Sequence, residues 1–330
     1  VFFCFSPRNN SGPVVNLSLV RQTILNKVLI GFTIWTGGYG AQVLARESNW
    51  GTNALLLGIL GVVPLILLSR RIETSEAPSL ADLNLSTNML VLRLFGAKPQ
   101  PLVAFTVSAL LAALTGLVEE TTFRGQVLAQ VTQKFDSLPA GAVLSTLIFA
   151  VLHVNPIGFF KDGESALGAA VLVAYQIATG SVFCALYLVT DNLAVPIIAH
   201  ALFDFYVFFS THLSVTKQME YARKETLMPT ASSRGVEAKW RQKRGDKFLL
   251  GAKEAFYLAD VNRDGVLSRE ELRIALYSYG IRLSASQSEA VTQAADVDKS
   301  GMVDFDEFLQ FVGPTGSTRK AIKNALLGVN

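Results

Sequence analysis

Hydrophobic residues in the first two-thirds of the chain fall in long, almost uncharged runs that are separated by short polar segments. A helix that crosses about 30 Å of hydrocarbon needs roughly 17–25 mainly apolar residues. Runs of suitable length lie at 28–45, 48–69, 99–118, 137–160, 165–190 and 192–216. This pattern predicts an all-α fold, a polytopic bundle of about six transmembrane helices.

Charged residues are concentrated in the last third of the chain. Of the 29 basic and 26 acidic residues, only 11 of each lie in 1–212. This imbalance excludes a uniform soluble fold and a disordered chain. The net charge of +3 is small, so we expect no nucleic-acid partner. We divide the sequence into an N-terminal segment (1–27), a membrane domain (28–216), a basic linker (217–247) and a soluble lobe (248–330).

Lysine and arginine in the short connecting segments predict the orientation, because cytoplasmic loops are enriched in them. With six spans, the side that holds both termini carries Arg8, Arg21, Lys27, Arg70, Arg71, Arg93, Lys98 and Lys161, and the opposite side carries Arg46, Arg124 and Lys134. We therefore expect a multi-pass membrane protein with both termini and the lobe in the cytosol or the stroma. Endoplasmic reticulum and plastid membranes both fit this orientation.

Several ionisable residues lie in or beside the apolar runs. Each costs about 2.5–3.5 kcal/mol at the centre of a bilayer, so each calls for a reason. They are His153, His200, Glu119, Glu120 and Asp204. A histidine that packs between helices is an ordinary structural feature, but two histidines and three carboxylates in neighbouring spans indicate a functional site.

The spacing of these residues separates two roles for the adjacent acids. Glu120 and Arg124 are i,i+4 neighbours on one helix face and can neutralise each other. Glu119 is rotated by about 100° and stays available for chemistry. The groups are expected to meet only if the third predicted helix starts late, near 106, and continues through Phe123 into 126–131. The i,i+4 spacing recurs twice, in Phe149 with His153 and in His200 with Asp204.

These motifs resemble a known family. Glu-Glu-x-x-Phe-Arg-Gly, Phe-x-x-x-His and His-x-x-x-Asp occur in order on separate segments, as in the CAAX protease and bacteriocin-processing family, which includes the type II CAAX prenyl endopeptidases. The resemblance covers roughly 100–212 and implies a membrane endopeptidase. It implies that Glu119 activates water, that His153 and His200 assist and stabilise the oxyanion beside Asp204, and that Glu120, Arg124 and Phe149 support the site.

Elementary chemistry supports a hydrolytic site without the resemblance. Desolvation raises the proton affinity of a buried carboxylate, and nearby imidazoles can donate to a developing oxyanion. Two histidines and a carboxylate can also hold Zn²⁺. We favour a metal-free glutamate mechanism and keep zinc as the alternative. The substrate is expected to be a peptide or protein, with prenylated ones among the candidates. A non-catalytic scaffold or chaperone of the same fold and a small transporter are the rival interpretations.

Two twelve-residue loops in the lobe have the EF-hand pattern, in which short acids alternate around a glycine turn and a terminal glutamate binds with both oxygens. The first loop, 260–271, supplies Asp260, Asn262, Asp264, Val266 through its carbonyl, and Glu271. The second loop, 296–307, supplies Asp296, Asp298, Ser300, Met302 through its carbonyl, and Glu307. We predict two bound Ca²⁺ ions. Leu267 and Val303 are expected to pair as a short strand between the loops.

The linker 217–247 is rich in lysine and arginine. A basic segment beside the last span can bind anionic lipid headgroups with about 1 kcal/mol per basic residue. Trp240 can either anchor in the lipid interface or be captured by the lobe when calcium binds. A solvated linker is the third interpretation.

Overall fold

A computed structural model describes residues 19–22, 24–25, 40–75, 77–96, 98–154, 163–227, 234–278, 283 and 285–314. Two compact units divide at 213 and 214, and each is treated by itself. The described elements are helices apart from two short strands. The all-α prediction is therefore confirmed.

The first unit contains the long apolar helices. Its elements are α1 (Gly40–Glu47), α2 (Thr52–Glu73), α3 (Pro78–Phe95), α4 (Pro101–Glu120), a π-helical segment (Thr121–Val127), α5 (Leu128–Phe135), α6 (Leu138–Leu152), α7 (Gly163–Thr190) and the first part of α8 (Ala194–Leu227).

Among the described residues, four helices are long and apolar enough to cross a membrane. They are Thr52–Glu73, Pro101–Phe135, Ala166–Thr190 and Ala194–Leu227, and the apolar helix Leu138–Leu152 is shorter. These helices correspond to five of the predicted runs, so a bundle of about six spans is consistent with the structure. The remaining run, 28–45, lies largely outside the described residues, and only its end forms part of α1.

Local sequence accounts for where these helices begin and end. Pro101 occupies the first turn of α4, where its missing N–H costs no hydrogen bond. The Ser137 hydroxyl accepts a hydrogen bond from the Ala140 N–H at 3.3 Å and caps α6. Gly96 ends α3 with a positive φ of 73°, a backbone conformation that favours glycine. Helix α3 was not predicted, because polar residues interrupt its apolar positions.

The second unit, described from Ser214 on, is a small helical lobe. It contains the end of α8, followed by α9 (Arg234–Arg244), α10 (Asp246–Ala259), β1 (Val266–Leu267), α11 (Arg269–Ser278), α12 (Ala285–Ala295), β2 (Val303–Asp304) and α13 (Phe305–Val312). The strands pair antiparallel with Leu267 opposite Val303, so the predicted link between the loops is confirmed.

The lobe core also contains residues from upstream of the EF-hand loops. Phe256, Leu272 and Phe308 are at most 1% exposed and form its centre. Ala222 of α8 and Trp240 of α9 belong to the same hydrophobic cluster. The described parts of the predicted linker are therefore largely helical, and Trp240 packs within the lobe. That its capture depends on calcium stays a prediction.

Candidate active site and calcium loops

The backbone that carries Glu119 and Glu120 is a single unbroken helical path. Helix α4 ends at Glu120, the π-helical segment follows at once, and α5 continues to Phe135. The third span therefore extends beyond Phe123 as expected, but the predicted start near 106 is wrong, because α4 begins at Pro101, whose ring suits the first turn of a helix. π-Helical turns inside α-helices occur often at functional sites, because the extra residue redirects neighbouring side chains.

Glu120 and Arg124 form a fully buried ion pair. The Nη1 atom of Arg124 lies 3.0 Å from Glu120 Oε1, and neither side chain is exposed. Arg124 Nη2 donates a second hydrogen bond to the carbonyl oxygen of Gly180 on α7 at 2.7 Å. The guanidinium carbon also lies 4.7 Å from the centre of the Phe149 ring. The arginine thus neutralises Glu120 and links helices around it.

His200 of α8 makes a close contact with the same carboxylate. Its Nδ1 lies 2.6 Å from Glu120 Oε1. A carboxylate accepts, so the hydrogen of the imidazole is on Nδ1, and Nε2 faces the opposite way. That Nε2 atom lies 3.9 Å from Glu119 Oε2 and 3.7 Å from Asp204 Oδ2. Glu120 therefore pairs with His200 as well as with Arg124, a role that the sequence spacing did not indicate.

His153, at the end of α6, is also anchored through its Nδ1 atom. Its Nδ1 lies 2.7 Å from the backbone carbonyl oxygen of Phe149, which can only accept, so Nδ1 carries the hydrogen. Its Nε2 lies 3.4 Å from Glu119 Oε2. The Glu119 side chain is 10% exposed and that of His153 is 29% exposed. Two imidazoles on different helices are thus anchored through Nδ1 and direct Nε2 towards one carboxylate.

Aromatic rings complete the site. Phe183 of α7 stacks on the His200 ring with centroids 4.5 Å apart and an angle of 10° between the planes. The Phe149 ring packs against His153 at 4.4 Å and edge-on to Phe123 at 5.1 Å. The structure therefore brings the predicted residues of all three motifs together around Glu119 and Glu120.

Sequence reasoning missed the contribution of α7. Gly180 accepts from Arg124, and a Cβ atom at this position would lie 3.0 Å from the Phe149 ring and 3.2 Å from Arg124 Nη2. Phe183 stacks on His200. Both residues lie in an uncharged run, where an ordinary apolar side chain carries no chemical signal. The glycine that interrupts the run was the one available indication.

In both calcium loops, the leading aspartate accepts hydrogen bonds from the same two backbone positions. Asp260 accepts from the N–H groups of Asp264 and Gly265 at 3.1 and 3.2 Å. In the second loop, Asp296 accepts from Ser300 at 3.0 Å and from Gly301 at 2.9 Å. Gly265 and Gly301 have φ values of 84° and 85°, which L-residues with side chains seldom adopt.

The terminal glutamates fold back over the start of each loop. Glu271 Oε1 accepts from the Val261 N–H at 3.0 Å, and Glu307 Oε1 accepts from the Val297 N–H at 2.8 Å. Carboxylate atoms of Asp296, Asp298 and Glu307 lie within 4.8 Å of one another. Oxygen donors around a glycine turn are the ligands that Ca²⁺ requires, so the residues of both loops fit this ion.

The leading acids of the two loops differ in burial. Asp260 is fully buried, whereas Asp296 is partly exposed. Burial raises the pKa of the Asp260 carboxyl above its ordinary value, and hydrogen bonds from Gly265 and Tyr221 oppose that rise. Hydrogen bonds from Ser300 lower the pKa of Asp298 in the second loop. The first ligand position is thus shielded from solvent in the first loop and partly exposed in the second.

Comparison with protein families agrees with this division. Residues 99–206 match the family described as "Type II CAAX prenyl endopeptidase Rce1-like", and residues 251–313 match the "EF-hand domain pair". The first match contains the three motifs around Glu119, and the second contains both calcium loops. Each match covers less than half of the chain.

Curated relatives resemble short stretches of the chain. "Probable calcium-binding protein CML18" of Arabidopsis thaliana is 39% identical over 72 residues, which are 22% of this chain and 44% of that protein. "Calcium-binding protein 7" of Homo sapiens is 38% identical over 66 residues, 20% of this chain and 31% of that protein. "Calcium-dependent protein kinase 11" of Oryza sativa subsp. japonica is 38% identical over 61 residues, 18% of this chain and 11% of the kinase.

The chain thus spans less than half the length of these curated relatives. No solved structure matches it. Long apolar helices and the family match identify an integral membrane protein. The chain carries an Rce1-like CAAX protease domain followed by a C-terminal EF-hand pair.

Proposed function

We propose that the membrane domain is an endopeptidase in which Glu119 activates water for attack on a peptide bond. The observation that carries this proposal is the pair of anchored imidazoles that direct Nε2 towards Glu119 at 3.4 and 3.9 Å. Glu120 has separate partners in Arg124 and His200, which commit it to a structural role.

The reaction follows from the positions of these groups. Glu119 accepts a proton from water as the water oxygen bonds to the carbonyl carbon of the substrate. A protonated His153 or His200 donates a hydrogen bond from Nε2 to the oxyanion of the tetrahedral intermediate. The intermediate collapses when the carbon–nitrogen bond breaks, and the proton held by Glu119 passes to the leaving amine. Asp204 Oδ2 lies 3.7 Å from the same Nε2 atom of His200.

Zinc is the alternative way to activate the water. Glu119, His153 and His200 are suitable ligand types, and a bound zinc ion would supply Lewis-acid activation. In the part of the chain that the structure describes, three candidate ligand atoms gather within 4.8 Å at Asp296, Asp298 and Glu307, not at the membrane site. We prefer the metal-free mechanism because Glu119 is better used as the general base than as a zinc ligand. One equivalent of zinc in the purified protein, lost in His153→Ala, would overturn that preference.

The substrate is proposed to be a peptide or protein that reaches the site from the membrane, and prenylated carboxyl-terminal peptides are the first candidates because of the family match. The EF-hand pair is proposed to regulate cleavage through calcium. The exposed basic side chains of α9, among them Lys239, Arg241 and Lys243, are proposed to contact anionic lipid. We place the lobe and both termini in the cytosol or stroma.

A cleavage assay separates the peptidase from a non-catalytic scaffold. The purified protein in lipid nanodiscs is incubated with matched prenylated and unprenylated peptides and with unmodified membrane peptides, each with calcium and with chelator. We expect cleavage of at least one class and a calcium-dependent rate. If no class is cleaved while calcium still binds and changes the set of bound proteins, the scaffold is the better account.

A further inference from the structure

The C-terminal part of α8, 214–227, contacts the first calcium loop although it lies upstream of the EF-hand match at 251–313. The Tyr221 hydroxyl donates to Asp260 Oδ2 at 3.2 Å. Asp260 occupies the first ligand position of that loop. Arg263, in the same loop, places its guanidinium carbon 4.7 Å from the centre of the Tyr221 ring. Tyr221 therefore contacts the loop through its hydroxyl, which bonds Asp260, and through its ring, which faces Arg263.

A second side chain of the same helix caps the helix that enters the loop. Gln218 Nε2 donates to the backbone carbonyl oxygens of Tyr257 at 3.0 Å and of Asp260 at 2.7 Å. The last carbonyl groups of a helix have no partner within that helix, so this amide satisfies groups that would otherwise need water. Gln218 and Tyr221 thus both form hydrogen bonds at the junction between α10 and the first calcium loop.

The bonds to Asp260 fix the orientation of its carboxylate. Oδ2 accepts both the Gly265 N–H and the Tyr221 hydroxyl, whereas Oδ1 accepts the Asp264 N–H. The backbone N–H of Arg263 also bonds this carboxylate, so donors from the loop and from α8 together hold it in one orientation. Groups that hydrogen-bond a metal ligand fix its orientation and commonly change metal affinity by 10- to 100-fold.

We propose that Tyr221 and Gln218 are outer-shell residues of the first calcium site, and that calcium binding there is coupled to the docking of 214–227 on the lobe. Because binding and docking are linked, each strengthens the other by the same factor. In the second loop, the hydroxyl that the described contacts place on Asp296 is that of Ser300, at 3.5 Å and within the loop itself, so the coupling to an upstream helix belongs to the first loop. The inference requires calcium binding but not peptidase activity.

The test measures calcium affinity of the full chain in detergent by calorimetric titration with Ca²⁺. In a Glu307→Gln background, which disables the second loop, we expect Tyr221→Phe to weaken binding about tenfold. In a Glu271→Gln background, which leaves only the second loop, the same change should have no effect. The retained affinity of the second loop also reports that the variant lobe is folded.

Tyr257→Phe is the matched control, because its ring also lies in the lobe core but its hydroxyl makes no bond to a loop carboxylate among the described contacts. An unchanged or increased first-loop affinity in Tyr221→Phe overturns the proposal, and an increase would mean that the hydroxyl competes with the ion. A first loop that binds no calcium in the Glu307→Gln background overturns it as well.

Hydrogen exchange tests the coupling independently. In the unaltered chain, calcium should slow the exchange of backbone amides in 214–227, and Gln218→Ala should reduce that protection. Equal exchange with and without calcium contradicts the coupling even if Tyr221 affects affinity. Neither readout involves cleavage, so failure here leaves the proposed peptidase untouched, and an inactive peptidase leaves these measurements interpretable.

Discussion

Glu119 and Glu120 are neighbours in the sequence but have different surroundings. Glu120 is fully buried against Arg124 and His200, whereas Glu119 faces the Nε2 atoms of two histidines. Replacing one partner of a buried ion pair leaves the other charge uncompensated, which commonly costs about 3–5 kcal/mol. The second acid therefore has structural partners, and the first is the one for which we propose a chemical role.

Replacing Arg124 should test this division. We expect Arg124→Gln to lower the free energy of unfolding by about 3–5 kcal/mol, because Glu120 would remain buried without its cation. Arg124→Lys should recover little of this lost stability, since one ammonium cannot reproduce the bonds to both Glu120 and the Gly180 carbonyl. Thermal unfolding in detergent measures the change. Arg70→Gln, at an exposed arginine that bonds Tyr206, is the control, and equal losses in both variants would contradict the account.

Sequence alone identified the ionisable residues that gather at the candidate site better than it identified their neighbours. Charged and imidazole groups are scarce in apolar runs, so Glu119, His153 and His200 stood out. The stacking of Phe183 on His200 had no such signal, because one more phenylalanine in an apolar helix is ordinary. The double role of Glu120 also depends on α8 lying beside α4, which is a tertiary contact that residue spacing does not contain.

At the scale of elements, the close approach of α4 and α8 is set by Gly116. A Cβ atom there would lie 2.9 Å from the Ile197 carbonyl oxygen and 3.0 Å from the Ala201 nitrogen, both backbone atoms. Small residues at helix contacts let backbones approach closely in membrane proteins. Gly116 lies one turn before Glu120, and Ala201 follows His200, so this contact positions the reactive groups.

Adding one methyl group at Gly116 should therefore separate the helices. We expect Gly116→Ala to cost about 1–3 kcal/mol of stability by overpacking and to reduce cleavage more than its effect on stability explains. Unfolding and single-turnover cleavage are measured on the same preparation. Gly168→Ala is the matched control, since a Cβ atom there meets nothing within 4 Å. A Gly116→Ala protein with unaltered stability and rate would contradict the proposed contact.

Helix α9 makes Trp240 part of the lobe core. The side chain is 5% exposed and packs against Gly313. We expect Trp240→Ala to lower the unfolding free energy of the lobe by about 3–5 kcal/mol, as large-to-small changes in cores do. Chemical unfolding of the calcium-free protein, followed by circular dichroism, measures this loss. A change below about 0.5 kcal/mol would favour the lipid-anchor interpretation of Trp240.

Element boundaries were predicted where composition changes abruptly and missed where packing decides them. The apolar runs located α2, α4, α6, α7 and α8. The continuation of α8 to Leu227 was not expected, because polar residues replace apolar ones after 216. Ala222 packs into the lobe core and Gln218 caps α10, so contacts with a distant segment maintain that part of the helix.

At the scale of the whole molecule, the chain joins an Rce1-like CAAX protease domain to an EF-hand pair. Its charge distribution already separated these parts, because an apolar membrane domain excludes charge and calcium loops require it. The pairing of the loops through Leu267 and Val303 was predictable from their spacing. The contribution of α8 and α9 to the lobe was not, since it depends on long-range packing.

Calcium should stabilise the lobe with a stoichiometry of two ions per chain. At a free concentration of 100 times the dissociation constant, one site adds about 2.7 kcal/mol to the free energy of unfolding. Glu307→Gln should reduce the stoichiometry to one, which calorimetry measures. Asp306→Asn, which alters a carboxylate outside the ligand positions, is the control. Two ions bound by Glu307→Gln would contradict the assignment of the second loop.

The central claim is that Glu119 activates water. Single-turnover cleavage of the best peptide substrate should fall by about 10²–10⁴-fold in Glu119→Gln, the usual contribution of a general base. Folding and calcium binding should be unchanged. Glu73→Gln, which makes the same chemical change at the end of α2, should cleave normally. A Glu119→Gln protein that cleaves at the rate of the unaltered chain would contradict the account.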